Sequence, residues 1–260
     1  NRYQIQLNDT HPSVAVAEMM RLLVDTKHIE WEPAWEIVSK TISYTNHTLL
    51  PEALETWDLK LFKTLLPRHI EIIYEINRRF LQVVRLNYPG DDSMLEKMSI
   101  IDERGGKSVR MANLATIGSH HVNGVAELHS DLVKNQLMPE FYDLWPHKFT
   151  NVTNGVTPRR WVASCNPGLV EVLDQYAGSD WITRGDALSN LQNHLSDPDL
   201  IEKFATCKVI AKHNLATYIH EELGISVDPS SMFDVQVKRI HEYKRQHLLA
   251  LWVVTQYLRI

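Results

Sequence analysis

A dense run of basic side chains near the carboxyl end of the sequence is its best candidate for binding an anion. Four of the eight residues in Lys238–Arg245 are lysine or arginine. The alternating residues Met232–Val237 in front of it predict a strand, and a helix is predicted to follow almost at once. Ligands bind at the carboxyl ends of strands in open α/β sheets, and helix N-termini attract anions. The run therefore predicts a phosphate site.

Two other interpretations of this basic run are open to consideration. A solvated helix start that is rich in basic residues has the same composition. Because a strand is predicted directly before the run, this interpretation and that of a phosphate site are about equally favoured. The pair His241-Glu242 also resembles the start of a zinc-protease helix, but that motif requires a histidine at position 245, where this sequence has Arg245. The sequence therefore excludes this kind of zinc site.

A second polar run, Gln6–Pro12, also lies where a predicted strand passes into a predicted helix. Asp9 and His11 would face one cleft if both side chains project beyond the end of the strand. A simpler role is also open, because Asp9 or Thr10 at this point could cap the helix through its side-chain oxygen. Spacing alone favours the cap.

Three further runs carry weaker signals. His47 lies in the run Tyr44–Thr48 that ends a predicted helix, and a single histidine at such a place is more often packed than functional. Asn154-Gly155 followed by Pro158 is ordinary turn composition. The glycines of Gly118–Gly124 fit neither a Walker A loop nor a dinucleotide-binding pattern. Composition and spacing alone therefore support only an anion-binding α/β domain.

The elements that must position these runs alternate between strands and helices, which predicts an α/β protein with a parallel sheet. Pro67 is expected to interrupt the helical stretch Asp58–Asn87. The other predicted strands are Tyr3–Leu7, Met98–Asp102 and Ser108–Asn113, and the other predicted helices are Thr10–Asp25, one from Glu32, Gly124–Gln136, Pro167–Tyr176, Asp186–Leu195, Pro198–Leu223 and Leu248–Ile260.

Bulk composition narrows the class of protein. The 260 residues are 44% hydrophobic and 23% charged, which is typical of a soluble globular chain with a sizeable core. A net charge of −5 argues against a nucleic-acid binder, and no apolar stretch reaches the roughly 20 residues that span a bilayer. Two cysteines predict no disulfide framework. We therefore expect a cytoplasmic protein, or a plastid one if the source is a plant.

The ends of the sequence and one internal turn indicate its organisation. The sequence begins in a predicted strand and ends in a predicted helix without a stop signal, so we expect an internal fragment of a longer protein. The segment Asn151–Pro158 is a candidate hinge between two lobes.

Taken together, these runs resemble one family, the glycogen, starch and maltodextrin phosphorylases. The resemblance covers essentially the whole chain, and the matching segments follow the family's order and spacing. His121 departs from it, because a small residue is more usual there, and no function is attached to this difference. The matching segments are Gln6–Pro12, Tyr44–Glu55, Leu65–Asn77, Asn123–Ser130, Thr153–Trp161 and Phe233–Gln246.

The resemblance implies a fold and a domain organisation. The family has the two-lobed glycosyltransferase architecture called GT-B, an α/β fold in which a cleft lies between two Rossmann-like lobes. Residues 1–154 would form the later part of the N-terminal lobe, and residues 155–260 would begin the C-terminal, cofactor-binding lobe. The parent protein is expected to be a homodimer.

The resemblance also implies an activity. In this family, orthophosphate attacks the terminal glucose of an α-1,4-glucan with retention of configuration and yields glucose 1-phosphate. The cofactor is pyridoxal 5'-phosphate, whose phosphate group serves as proton donor and acceptor. Its attachment lysine is expected beyond Ile260, so this chain would be a partial enzyme.

The match assigns roles at the phosphate end of such a site. Arg239 would hold the substrate phosphate, whereas Lys238 and Lys244 would surround the cofactor phosphate. Two phosphates placed side by side repel each other, which gives this cluster of cations a physical role. Trp161 would lie close to the cofactor.

The match also assigns roles at the sugar end. His47 would steady the glucose ring and its cation-like transition state, and Asn154 and Tyr243 would each bind a hydroxyl of the glucose. Asp9 and His11 would lie on the acceptor-glucan side. Two alternatives stay open: a nucleotide-sugar glycosyltransferase of the same architecture, and a non-catalytic glucan-binding module.

Overall fold

The computed structural model describes residues 3–50 and 53–260, so Pro51 and Glu52, part of the Tyr44–Glu55 run, lie outside the described residues. The chain divides by its internal contacts into two compact units, residues 1–155 and residues 156–260. We call them unit 1 and unit 2. The assignment of these units to two lobes stays a prediction.

Unit 1 alternates strands with helices along the chain. Two helices continue as π-helical turns, Leu22–Thr26 after α1 and Val133–Leu137 after α7. In chain order its elements are β1 Ile5–Asn8, α1 Ala15–Arg21, α2 Trp31–Thr41, β2 Ile42–Thr45, β3 Thr56–Asp58, α3 Leu59–Leu65, α4 Pro67–Asn87, α5 Asp92–Met98, β4 Ile101–Asp102, β5 Ser108–Arg110, α6 Met111–Gly118, β6 Val122–Gly124, α7 Glu127–Leu132, α8 Pro139–Leu144 and β7 Phe149–Asn151.

A four-stranded parallel sheet forms the centre of unit 1, with strand order β1-β2-β6-β7. Its register aligns one buried residue from each strand, because Leu7 pairs with Tyr44, Tyr44 with Val122, and Val122 with Phe149. Strands buried in this way need helical crossovers between them, which the intervening helices supply. The predicted α/β class with a parallel sheet is confirmed.

A second, antiparallel sheet of three short strands, in the order β3-β5-β4, lies elsewhere in unit 1. The long helix α4 carries the apolar residues Ile70, Ile73, Ile76 and Phe80, which recur every three or four positions and are all buried. This spacing places them on one helix face.

Pro67 begins α4 just after α3 ends, as predicted, since proline lacks the amide hydrogen that a continuous helix would need.

Several predicted boundaries in unit 1 are wrong. The helix predicted from Thr10 begins only at Ala15, after a turn through residues 11–14. The predicted strand Met98–Asp102 is reduced to Ile101–Asp102 because α5 extends through Met98, and the strand from Ser108 stops where α6 begins at Met111. The segment predicted as one helix from Gly124 contains the last residue of β6, and its helix begins at Glu127.

Gly124 is the point at which β6 and α7 approach each other most closely. A β-carbon at this position would lie 2.5 Å from Ser130 Oγ and 2.8 Å from Ser130 Cα, closer than non-bonded atoms allow. Part of that obstruction is backbone, which a rotamer change does not relieve. The glycine is therefore needed to seat α7 against the end of the sheet.

We expect Gly124→Ala to lower the free energy of unfolding by about 1–3 kcal/mol, the usual cost of overpacking a tight contact. The measurement is urea denaturation of the chain followed by circular dichroism. Gly106→Ala is the matched control, because nothing lies within 4 Å of its added β-carbon. Equal stability of the two variants would contradict the close approach of α7 to β6.

Unit 2 is built from helices and short helical turns. Its small core consists of Ala177, Trp181 and Ala187, and the Trp181 indole donates to Asp174 Oδ1 at 2.8 Å. Neither the 26-residue helix α11 nor any other helix in the described part of the chain has the apolar length needed to cross a membrane. The elements are α9 Pro158–Cys165, α10 Pro167–Ala177, the 3-10 turns Ser179–Ile182, Gly185–His194 and Glu242–Lys244, α11 Pro198–Leu223 and α12 Gln246–Tyr257.

The predicted strand Met232–Val237 is wrong. Residues 156–260, all of which the structure describes, contain no strand, and Val237 is 88% exposed. A strand satisfies its backbone amides and carbonyls only by pairing with a neighbour. With no partner strand in unit 2, this segment remains extended chain that leads into the basic run.

Candidate functional site

A polar pocket of about 300 Å³ opens at the carboxyl end of the parallel sheet. Its walls combine side chains from β1, β2 and β6 with residues that follow β2, β6 and β7. Open α/β sheets bind ligands at this edge, where the loops leave the strands. The lining residues are Gln6, Ser43, Thr45, His47, Asn123, Val125, Val152 and Asn154.

A directed chain of hydrogen bonds links three strands across the pocket. Gln6 Nε2 donates to Thr45 Oγ1 at 2.7 Å, and Thr45 Oγ1 donates to Asn123 Oδ1 at 2.8 Å. Asn123 Nδ2 then donates to the Gly124 carbonyl at 2.9 Å. Because each donor in the chain has its acceptor, these side chains hold fixed orientations and form a rigid polar surface.

His47 lies just beyond the end of β2 and is exposed at the pocket. Its Nε2 lies 2.6 Å from Asn8 Oδ1, and because an amide oxygen accepts, this ring nitrogen donates. The preceding Asn46 is fully buried and donates to the Tyr44 hydroxyl at 3.1 Å, which anchors the chain immediately before His47. A packed role for His47 is therefore wrong.

Asn154 reaches the pocket because the chain beyond β7 continues to pair with the chain beyond β6. The Val152 amide donates to the Gly124 carbonyl at 3.1 Å, and the Asn154 amide donates to the Val125 carbonyl at 2.9 Å. The Asn154 side chain is thereby brought to the same pocket as His47, so two of the predicted sugar-binding residues come together.

Asp9 adopts an unusual backbone conformation at the end of β1. Its φ of 63° lies in the left-handed region, which residues other than glycine seldom adopt and which recurs at functional sites. Its amide donates to the Thr45 carbonyl at 2.9 Å, and its Oδ1 accepts from the Thr10 amide at 2.8 Å. Helix α1 begins after Val14 without a side-chain cap, so the predicted capping role is wrong.

The other acceptor-side residue, His11, is exposed in the turn that follows Asp9. Neither Asp9 nor His11 lines the pocket that contains His47 and Asn154. Between them, Thr10 is fully buried and its hydroxyl donates to Glu55 Oε2 at 2.8 Å. The turn is therefore fastened to a second segment of unit 1.

The basic run of unit 2 begins as exposed, extended chain, continues into the 3-10 turn Glu242–Lys244, and is stabilised by a pair of glutamines. Gln246 Nε2 donates to the Arg239 carbonyl at 3.0 Å, and Gln236 Nε2 donates to the Lys244 carbonyl at 3.3 Å. These contacts fold the run back onto the start of α12. Arg245, at the end of the run, has a left-handed backbone with φ 61°.

The cations of this run have no carboxylate partner in the described part of the chain. Within residues 3–50 and 53–260, no aspartate or glutamate oxygen lies within 4.0 Å of a side-chain nitrogen of Lys238, Arg239, Lys244 or Arg245. Lys244 Nζ lies 5.5 Å from the centroid of the Tyr243 ring, whose centroid lies 4.6 Å from that of His241 with the two planes tilted by 57°. Unpaired cations gathered in this way favour an anionic ligand.

Trp161 lies on α9 in unit 2 and is 56% exposed. The predicted site residues therefore fall into two groups. Asp9, His11, His47 and Asn154 belong to unit 1, whereas Trp161, Lys238, Arg239, Tyr243 and Lys244 belong to unit 2.

The sequence interpretation gave no role to four polar residues that line the pocket: Gln6, Ser43, Thr45 and Asn123. Ser43 and Thr45 lie on β2, which was predicted as the end of a helix, and Asn123 lies on β6, where no strand was predicted, whereas Gln6 lies within the predicted strand Tyr3–Leu7. The alternation of Ile42, Ser43, Tyr44 and Thr45 after a helix is the signal that would have found β2.

A larger cavity of about 800 Å³ lies at the opposite, amino end of the sheet. Residues that immediately precede β6 and β7, including His121 and Lys148, line it, and none of the predicted site residues does. Lys148 Nζ lies 3.8 Å from the Trp145 ring centroid and 3.4 Å from the Thr116 carbonyl. Burial lowers the pKa of Lys148 from 10.5 to about 8.

We expect Lys148→Met to raise the free energy of unfolding near pH 7 by about 1–2 kcal/mol, because the cost of burying the charge disappears while the attraction to Trp145 is lost. In the wild type, stability rises between pH 8 and pH 10.5, since the unfolded chain binds more protons there than the folded chain. The variant should lose this rise. Urea denaturation from pH 7 to 10.5 measures the free energy of unfolding of both proteins, and Lys60→Met, at an exposed lysine, is the control. A rise in stability that persists in the Lys148 variant would contradict the lowered pKa of Lys148.

The fold and site define an α/β protein with a polar pocket at the carboxyl ends of its parallel strands and a cluster of cations near the end of the sequence. The chain belongs to the carbohydrate phosphorylase family, which it matches along residues 1–260. This confirms the resemblance seen in the polar runs.

Individual relatives match the chain over nearly its full length. It is 56% identical over 258 residues to a glycogen phosphorylase of Synechocystis sp., and 51% identical over 260 residues to the muscle form of glycogen phosphorylase from Ovis aries. The human muscle form is 50% identical over 260 residues. These alignments cover 99–100% of this chain but only 30–31% of the relatives, so the chain spans about a third of their length.

Proposed function

We propose that the full-length protein carrying this sequence is an α-glucan phosphorylase. It transfers the terminal α-1,4-linked glucose of a glucan to orthophosphate and releases glucose 1-phosphate, as in glycogen or starch breakdown. The observation that carries the proposal is identity of 50–56% to glycogen phosphorylases along essentially the whole chain. The polar pocket of unit 1 and the unpaired cations of unit 2 support it on chemical grounds.

Unit 1 supplies the sugar-binding side of the proposed site. His47 and Asn154 line one pocket, and both present polar groups suited to sugar hydroxyls. Asn8 holds the His47 ring through a 2.6 Å hydrogen bond, so the imidazole is oriented before substrate arrives. Asp9 and His11, in the turn after β1, serve the acceptor side of the glucan.

Unit 2 supplies the phosphate-binding side. Arg239 binds the attacking orthophosphate, because a guanidinium matches two phosphate oxygens at once and this side chain is exposed, with no carboxylate competitor among the described residues. Tyr243 binds a hydroxyl of the transferred glucose. Positive groups fixed in place before the reaction stabilise the charge that develops as phosphate approaches the sugar, which is commonly the largest catalytic contribution.

Pyridoxal 5'-phosphate is the proposed cofactor, and its phosphate group supplies a proton donor and acceptor. The residues of this chain fit such a group, since Lys238 and Lys244 are cations without a carboxylate partner among the described residues and would hold its phosphate. The exposed indole of Trp161 offers a flat apolar surface to a pyridine ring. The attachment lysine is proposed to lie outside this chain.

The same proposal includes the arrangement of the chain in lobes, the oligomeric state and the location in the cell. Residues 1–154 are taken as the later part of one lobe of a GT-B glycosyltransferase and residues 155–260 as the start of the other, with substrate bound in the cleft between lobes in the full-length protein. We further propose a homodimer located in the cytoplasm, or in plastids for a plant source. Support comes from membership of the carbohydrate phosphorylase family.

The test is a product assay on the purified full-length protein with glucan and orthophosphate but no nucleotide. Release of glucose 1-phosphate supports the proposal. Glucosyl transfer only from a sugar nucleotide would support a glycosyltransferase of the same architecture. Glucan binding by a correctly folded protein without either reaction would support a non-catalytic module.

A further inference from the structure

His129 lies in the first turn of α7 and makes an unusual contact back to the preceding loop. Its Nδ1 lies 3.0 Å from the amide nitrogen of Val125, four residues earlier. A peptide N–H can only donate, so Nδ1 accepts and carries no proton. The neutral ring must therefore hold its proton on Nε2. This nitrogen is buried and has no hydrogen-bond partner among the described residues.

The surroundings of His129 favour this neutral ring. Burial is the main influence that lowers its pKa, the nearby His47 adds to it, and Asp9 acts in the opposite direction. A protonated ring would place a hydrogen on Nδ1 and break the bond to the Val125 amide. The fold therefore keeps one tautomer of His129 in place close to two predicted site residues.

The backbone of Val125 connects His129 to the pocket. Val125 lines the pocket, and its carbonyl accepts from the Asn154 amide at 2.9 Å. The next residue of α7, Ser130, donates to Asn151 Oδ1 at 2.8 Å. The first turn of α7 thus holds two segments, the chain that follows β6 and the end of β7. Asn154 follows β7 and pairs with the chain that follows β6.

We propose that His129 is a positioning residue for the sugar end of the site, fixing the backbone of Val125 at its amide and, through the carbonyl of the same residue, Asn154. This inference rests on the proposed function, in which Asn154 binds a glucose hydroxyl. His129 does not line the pocket, so it acts through Val125 and does not contact the substrate.

Two amide substitutions separate the roles of the two ring nitrogens. The side-chain oxygen of His129→Asn falls near the place of Nδ1 and still accepts from the Val125 amide. The longer His129→Gln places its amide near Nε2 and leaves Val125 without an acceptor. In the full-length protein, we expect His129→Asn to keep kcat/KM within about threefold of wild type and His129→Gln to lower it at least about tenfold. Competitive binding of glucose should weaken in the same order.

Nuclear magnetic resonance of the 260-residue chain gives a readout that does not depend on activity. We expect the imidazole nitrogens of wild-type His129 to report a proton on Nε2, and the Val125 and Asn154 amide signals to shift in His129→Gln more than in His129→Asn. A proton on Nδ1, or equal losses of activity in the two variants, would overturn the positioning role. A wild-type protein that lacks phosphorolysis but shows the expected signals would instead overturn the proposed function.

Discussion

Replacement of Arg239 by alanine in the full-length protein is expected to lower phosphorolysis of an α-1,4-glucan at least about 100-fold, equivalent to about 2.7 kcal/mol of transition-state stabilisation. The guanidinium is exposed and has no carboxylate within 4.0 Å among the described residues, so its hydrogen-bonding capacity is free for orthophosphate. Its loss leaves the repulsion between two adjacent phosphates uncompensated. The measurement is kcat/KM for orthophosphate at saturating glucan.

Two further variants sharpen this result. Arg239→Lys keeps the charge but loses the planar pair of donors, so an intermediate loss of about 10-fold is expected. Arg85→Ala removes an exposed arginine of α4 in unit 1 and should leave the rate unchanged. Near-normal turnover of Arg239→Ala would refute the phosphate-binding role of the basic run.

Replacement of His47 by alanine is expected to lower kcat/KM for the glucan about 100-fold, the scale seen when one preorganised polar group is removed from a transition-state site. The ring lines the polar pocket, and Asn8 fixes its orientation through the 2.6 Å contact with Nε2. Asn8→Ala should therefore lower the same constant by a smaller factor, about 10-fold, because the imidazole remains but is no longer oriented.

A double-mutant cycle tests whether these two residues act together. If Asn8 acts only through His47, the double variant should be no slower than His47→Ala alone. Simple addition of the two losses would show that Asn8 contributes independently and that the hydrogen bond between them is not what orients the ring. His213→Phe, at an exposed histidine of α11, is the control for nonspecific effects.

The part of the fold that sequence could predict is the part encoded locally. Pro67 interrupts its helical stretch because proline cannot donate a hydrogen bond, whatever the surroundings. The alternation in Met232–Val237 looked equally local, yet it forms no strand, because strand formation depends on a partner that residues 156–260 do not provide. Periodicity alone does not specify that partner.

The site likewise combines residues that sequence could identify with contacts that depend on the pairing of distant segments. The family resemblance singled out His47 and Asn154, whereas their runs alone favoured a packed histidine and an ordinary turn, and both residues line the pocket. The hydrogen-bonded chain Gln6, Thr45 and Asn123 was not found, because it exists only when β1, β2 and β6 pair in a particular register. His129 escaped notice for a similar reason. Its contact with Val125 depends on the tight approach of α7 that Gly124 permits.

Isotope exchange on the full-length protein tests the central claim most directly. The protein is incubated with glucan, unlabelled glucose 1-phosphate and labelled orthophosphate, without any nucleotide. We predict that label enters glucose 1-phosphate and that Arg239→Ala abolishes most of the exchange. A folded wild-type protein that carries pyridoxal phosphate yet leaves all the label in orthophosphate would contradict the account.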